Sequence, residues 1–118
     1  MEKENIILKL SIQFAIDIIR FSELLETEKK FIIAKQILKS GTSIGANIHE
    51  AQNAESKTDF IHKMKIAAKE MDETEYWLTL CKNAPSYPYD ETLMYKLTEL
   101  KKISTKIITS SKSSPLTH

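Results

Sequence analysis

Apolar residues return every three or four positions along most of the chain, the spacing of a single buried helix face. Ile7, Phe14 and Phe21 stand seven apart, with Leu10, Ile18, Leu24 and Leu25 beside them. This predicts a first helix over about Glu4 to Glu26. A short polar connector, Glu26 to Lys30, follows, with Thr27 as a plausible N-cap. The stripe Ala34, Ile37, Gly41, Ile44, Ile48, Ala51 then predicts a second helix reaching about Asn53. Glu55 and Ser56 mark a turn, and Ser56 with Asp59 three later resembles a capping box with Asp in place of Glu. Phe60, Met64, Ala67, Met71, Leu78 and Cys81 predict a third helix to about Lys82. Asn83 to Tyr89, NAPSYPY, is the longest connection, because Pro85 and Pro88 oppose a helix. Asp90 is placed as N-cap of a fourth helix that turns Leu93, Leu97, Leu100, Ile103 and Ile107 inward. The pattern predicts an all-α, up-down-up-down antiparallel four-helix bundle. Residues 1–109 form its single domain and residues 110–118 a flexible C-terminal tail.

Two features do not fit a plain bundle. In the first helix Ile6, Ile12, Ile16 and Ile19 widen the apolar arc beyond one seam. Either they pack under a neighbouring loop or they meet another copy; a large exposed apolar patch favours the second. Ile12, Ile16 and Ile19 are therefore candidate oligomer-interface residues. In the second helix a polar stripe, Gln36, Ser40, Ser43, Asn47 and Glu50, runs beside the apolar one. The third carries Ile66, Glu70, Glu73, Trp77 and Leu80 in one row. Folding the two helices as a hairpin about residue 56 brings Ser43 level with Glu70, Ser40 with Glu73 and Glu50 with His62. The two ladders are expected to satisfy each other, since buried polar groups need partners.

The stretch SGTSIGANIHEA, Ser40 to Ala51, is rich in weak helix formers, and each glycine costs about 1 kcal/mol against alanine in a helix. Gly41 and Gly45 lie four apart on one face, which points to close helix packing. The longer run QILKSGTSIGANIHEAQNAESKTDFIHKMKIAAKEMDETEYWL, Gln36 to Leu78, resembles the small bacterial four-helix-bundle family encoded in intervening sequences of the 23S ribosomal RNA gene. The matching positions are Gln36, Ser40, Ser43, Ile44, Ala46, Asn47, Ile48, Glu50, Ala51, Ser56, Phe60, Ala67, Glu70, Glu73, Thr74 and Leu78. The resemblance implies a four-helix bundle that often assembles as a ring of five, and no settled activity. It also implies kinship with the accessory variability protein of diversity-generating retroelements, which binds a reverse transcriptase and nucleic acid.

Composition narrows the class. Hydrophobic residues make up 42% and charged residues 28% of 118 residues, the balance of one globular domain. With only 2 glycines and 3 prolines, long helices are favoured over a turn-rich β fold. The lone Cys81 excludes an internal disulfide and suits a reducing cytoplasm. No secretory leader opens the chain and no apolar run approaches membrane-spanning length. The net charge of +1 is uneven: residues 70–91 hold six acids against one lysine, and residues 92–118 five lysines against one acid. That contrast reads first as a solvated surface, and otherwise as a polyanion contact through Lys96, Lys101, Lys102 and Lys106.

Catalytic chemistry finds little support. Glu70 and Glu73 sit one turn apart on one helix, whereas glycosidases set two carboxylates across a cleft. No Glu-x-x-His pair suggests a di-iron site, and His49, His62 and Glu50 lack a metal motif. Cys81 falls on a core stripe without a histidine partner, and no glycine loop cradles phosphate. Trp77 reads as packing, while Tyr87 and Tyr89 on the proline loop are the more open candidates for base stacking. The family resemblance, with the lysines of the fourth helix as its local support, implies a non-enzymatic oligomeric scaffold without metal or cofactor, binding RNA or a nucleic-acid-handling protein. The alternative is a small-ligand or ion-binding bundle, or an enzyme, built on Glu50, Glu70 and Glu73.

Overall fold

The computed structural model describes residues 2–113, with side chains described from Ile6 onward. Four α-helices follow one another: α1 Glu2–Thr27, α2 Phe31–Ala51, α3 Lys57–Asn83 and α4 Glu91–Ser113. Each packs against its chain neighbours, and α4 closes the ring against α1; among the described residues the backbones of diagonal helices do not come close. The result is an antiparallel bundle of 53 × 20 × 19 Å. The last helix continues through residues 110–113, which the sequence reading gave to the tail; Thr109 and Ser110 carbonyls there accept from the Ser113 hydroxyl. Residues 114–118 lie outside the described part.

The core is the set of stripes read from the sequence: Ile7, Phe14, Ile18 and Leu25 meet Ile37, Ile44 and Ile48, and these meet Met64, Met71, Leu78, Leu97 and Leu100, all buried. Leu24 departs from the expectation and is 45% exposed. The helix α2 lies closest to its neighbours because its inner face is small. A Cβ added at Gly41 would stand 2.8 Å from Ile18 Cγ2, and one at Gly45 would stand 3.2 Å from the Ser11 hydroxyl oxygen. The helix-propensity cost of these glycines is offset by this approach of α1 to α2.

Local signals fix the ends. Lys29 has φ 64°. Its N–H donates to the Glu26 carbonyl at 2.9 Å, and the Lys30 N–H reaches Leu25 at 2.8 Å, which is a Schellman ending built on a non-glycine residue. Thr27 does not cap α2; it is the last residue of α1 and bonds the Glu23 carbonyl. Ser56 caps α3 as expected, accepting from the Asp59 N–H at 3.0 Å, but the Asp59 carboxylate accepts from Glu55 rather than from Ser56. Asp90 caps α4 through the Thr92 N–H at 2.9 Å.

Candidate functional site

The polar ladder was the first candidate, and its register is close to the one expected. Glu50 Oε1 accepts from Lys63 Nζ at 3.0 Å, one residue along from His62, the partner read from the sequence. Ser40 meets Thr74, not Glu73, at 2.9 Å. The expected bond between Ser43 and Glu70 is absent. The Ser43 hydroxyl turns back to the Lys39 carbonyl at 2.7 Å, as serines within helices commonly do. The Asn47 amide likewise donates to the Ser43 carbonyl on its own helix. Gln36 sits half-buried on the same flank. Glu73 takes the Trp77 indole N–H at 3.3 Å. Burial pushes the Glu70 carboxyl above its ordinary value, the Glu73 charge adds to this, and Lys39 opposes it. The ladder is a set of separate short contacts rather than one network. Among the described residues, no three His, Cys, Asp or Glu side chains converge on a metal position.

Cys81 is buried, and burial pushes its thiol up to about 11. Tyr87 and Tyr89 are not open platforms. Both are half-buried against the core, with Lys30 Nζ 4.8 Å from the Tyr87 ring centre and Lys82 Nζ 5.8 Å from that of Tyr89.

The lysines of α4 divide into two groups. Lys96 reaches Asp17 at 2.6 Å, and Lys101 is held between Asp72 at 3.1 Å and Glu75 at 2.5 Å. The hydrogen bond to Glu75 and then that to Asp72 raise the Lys101 ammonium value against desolvation. These two cations are already committed within the bundle. Lys102 and Lys106 remain exposed beside a shallow groove with Thr98 and Thr105.

A second surface lies between α1 and α2. Ile12, Ile16 and Ile19 are 51%, 45% and 41% exposed. Leu8, Ile12, Ala15 and Ile16 form one wall of an apolar groove of about 320 Å³, and Thr42, Gly45, Ala46 and His49 form the other. The isoleucines were legible in the sequence, but the facing wall was not singled out. Its signal was the helical spacing of Thr42, Gly45, Ala46 and His49, the last three standing three, four and seven positions after the first along α2.

The family model described as 23S rRNA-intervening sequence protein matches residues 3–109. A crystal structure of a protein of unknown function from the S23 ribosomal protein family, from Bacteroides thetaiotaomicron, is similar over 91% of this chain and 98% of that one. The two share 44% identity with a TM-score of 0.86. No curated protein matches the chain.

Proposed function

Because the chain belongs to the 23S rRNA-intervening sequence protein family, we propose that it works without catalysis, as a homo-oligomeric scaffold for RNA or a nucleic-acid-handling protein. The observation that carries this reading is the α1/α2 groove. Ile12 and Ile16 face Thr42, Gly45, Ala46 and His49 across the groove, and half-exposed Ile19 extends the same stripe along α1, an apolar surface that a second helix face packs into. A closed symmetric assembly follows from the usual behaviour of homo-oligomers. The number five rests on the family resemblance alone. Such a scaffold acts in the cytoplasm; no described helix is long and apolar enough to cross a membrane.

A ligand site on Glu50, Glu70 and Glu73 has less support. Lys63 takes Glu50, Trp77 takes Glu73, and Glu50 and Glu73 are exposed rather than gathered in a cleft.

Light scattering after size exclusion tests the assembly. The unmodified protein should elute at five times its 13.5 kDa chain mass. Ile12→Lys with Ile19→Lys should give smaller species of unchanged helicity, because it places charge on the exposed isoleucine stripe of α1. A monomer mass for the parent at micromolar concentration would overturn the scaffold reading, and another closed number would overturn five alone.

A further inference from the structure

We infer that the outer face of α3 and α4, through Lys65, Lys69, Lys102, Lys106 and Lys112, is a contact for the phosphate backbone of RNA. The inference rests on the nucleic-acid side of the function proposed above and not on the oligomer. It also replaces Lys96 and Lys101 as the contact residues, since both are neutralised by Asp17, Asp72 and Glu75.

The antiparallel register builds the face. Ser104 on α4 reaches Met71 on α3, and Lys101 reaches Asp72 and Glu75. Continuing that register toward the α4 C-terminus sets Lys106 about level with Lys69, and Lys112 about level with Lys65. All five lysines are exposed. Lys65 and Lys69 are one turn apart, as are Lys102 and Lys106, so each pair shares a helix side. Among the described residues none of the five has an ion-pair partner. Asp72 and Glu75, the acids of α3 that border the patch on the α4 side, are both held by Lys101. Lys65 and Lys112 crowd each other: contact with the Lys112 ammonium, and then its charge, lowers the Lys65 value. Like charges brought together without a carboxylate between them suit an anion from outside.

The residue types select the anion. Lysine is a hydrated point charge that takes phosphate oxygens without fixing their geometry. The chain's one arginine, Arg20, lies on α1 beside Asp17, so this face offers no planar fork for a base edge or a carboxylate. Thr98 and Thr105 line the groove beside Lys102 and Lys106, and the one carboxylate in that lining, Glu75, is paired with Lys101. Contacts of this kind hold a backbone and do not read sequence.

The test uses the full chain and a fluorescent 20-nucleotide RNA of mixed sequence, with affinity measured across salt concentrations. Lys65→Gln, Lys106→Gln and Lys112→Gln are combined in one variant. Lys9→Gln, Lys29→Gln and Lys35→Gln form a second variant with the same charge change elsewhere. The first should bind at least tenfold more weakly at low salt, with a log–log slope shallower by about 2, at roughly 0.7 per single-strand phosphate contact. The second should lose little. Lys65→Gln alone should lower the slope by about 0.7, which guards against an effect of the combined change on folding. Equal losses in both triple variants would overturn the face and leave RNA binding standing. No RNA binding by the parent at low salt would overturn both. Equal or tighter binding of a polyglutamate peptide would overturn the assignment to phosphate. Scattering mass on the same samples reports the oligomer independently.

Discussion

Thr74 on α3 and Ser40 on α2 share a hydroxyl–hydroxyl bond across the helix seam, 2.9 Å long and buried. Thr74 Oγ1 also lies 2.8 Å from the Glu70 carbonyl. One hydroxyl hydrogen serves one acceptor, so the arrangement that satisfies both groups has Thr74 donating to Glu70 and Ser40 donating to Thr74. Thr74→Val keeps the shape but strands the Ser40 hydroxyl, and should cost about 1–3 kcal/mol. Ser40→Ala removes a partner whose loss Thr74 tolerates, and should cost about 1 kcal/mol. The double variant should lose less than the two single losses combined. Urea unfolding of all four proteins measures the coupling, and strict additivity would mean that the bond contributes nothing.

The two glycines of α2 should respond differently to alanine. At Gly41 the new methyl would meet Ile18 Cγ2 at 2.8 Å and Cγ1 at 2.9 Å, atoms near the backbone of a buried side chain. Overpacking of about 1–3 kcal/mol then outweighs a helix-propensity gain of about 1 kcal/mol. At Gly45 the nearest atom is the Ser11 hydroxyl oxygen at 3.2 Å. Gly45→Ala in a Ser11→Ala background should therefore be neutral or stabilising. Thermal melts would decide, and a stabilising Gly41→Ala would refute the tight α1/α2 crossing.

Lys29 holds φ 64° at the end of α1, a conformation that costs a side chain energy and glycine little. Lys29→Gly should stabilise by up to about 1 kcal/mol, with the Schellman bonds intact. Lys29→Val should destabilise. Denaturant midpoints compare the three proteins.

Glu70 supplies a pH test. Its folded value is raised, first by burial and then by Glu73. The folded state therefore holds its proton more tightly than the unfolded chain. A destabilising contribution sets in as pH rises past the unfolded value of about 4.3, and is complete above the raised folded value. Glu70→Gln should melt slightly higher than the parent at pH 7. The advantage should vanish toward about pH 3, a unit below the unfolded value, where both states carry the proton. Glu70 is only partly buried and solvent screens its charge, so the difference is small. A parent that melts higher than Glu70→Gln at pH 7 would contradict the raised value.

Cys81 should be inert in the folded protein. A thiol pushed up to about 11 and shut away in the core presents almost no thiolate at pH 8. A disulfide reagent should modify it only after denaturant is added. Rapid labelling of the native protein would show that the packing around α3 opens.

The sequence alone determined the parts of this protein that close within one or two turns of chain. Periods of three and four gave the four helices and their buried stripes. Ser56 and Asp90 were legible as caps because a side-chain oxygen reaches an N–H two or three residues on. The hairpin register was legible to within a residue, since Glu50 lies beside Lys63 rather than His62. Tertiary structure decided everything that depended on a choice between near-equal partners. Ser43 had a carbonyl on its own helix and a carboxylate across the seam, and the near one costs less side-chain freedom to reach. Lys96 and Lys101 resembled Lys102 and Lys106 along the chain. Only packing against α1 and α3 set acids beside the first two and left the others to solvent. The wall of Thr42, Gly45, Ala46 and His49 opposite Ile12 and Ile16 also exists only once α1 and α2 cross, because a groove is made by two helices and neither sequence carries it alone.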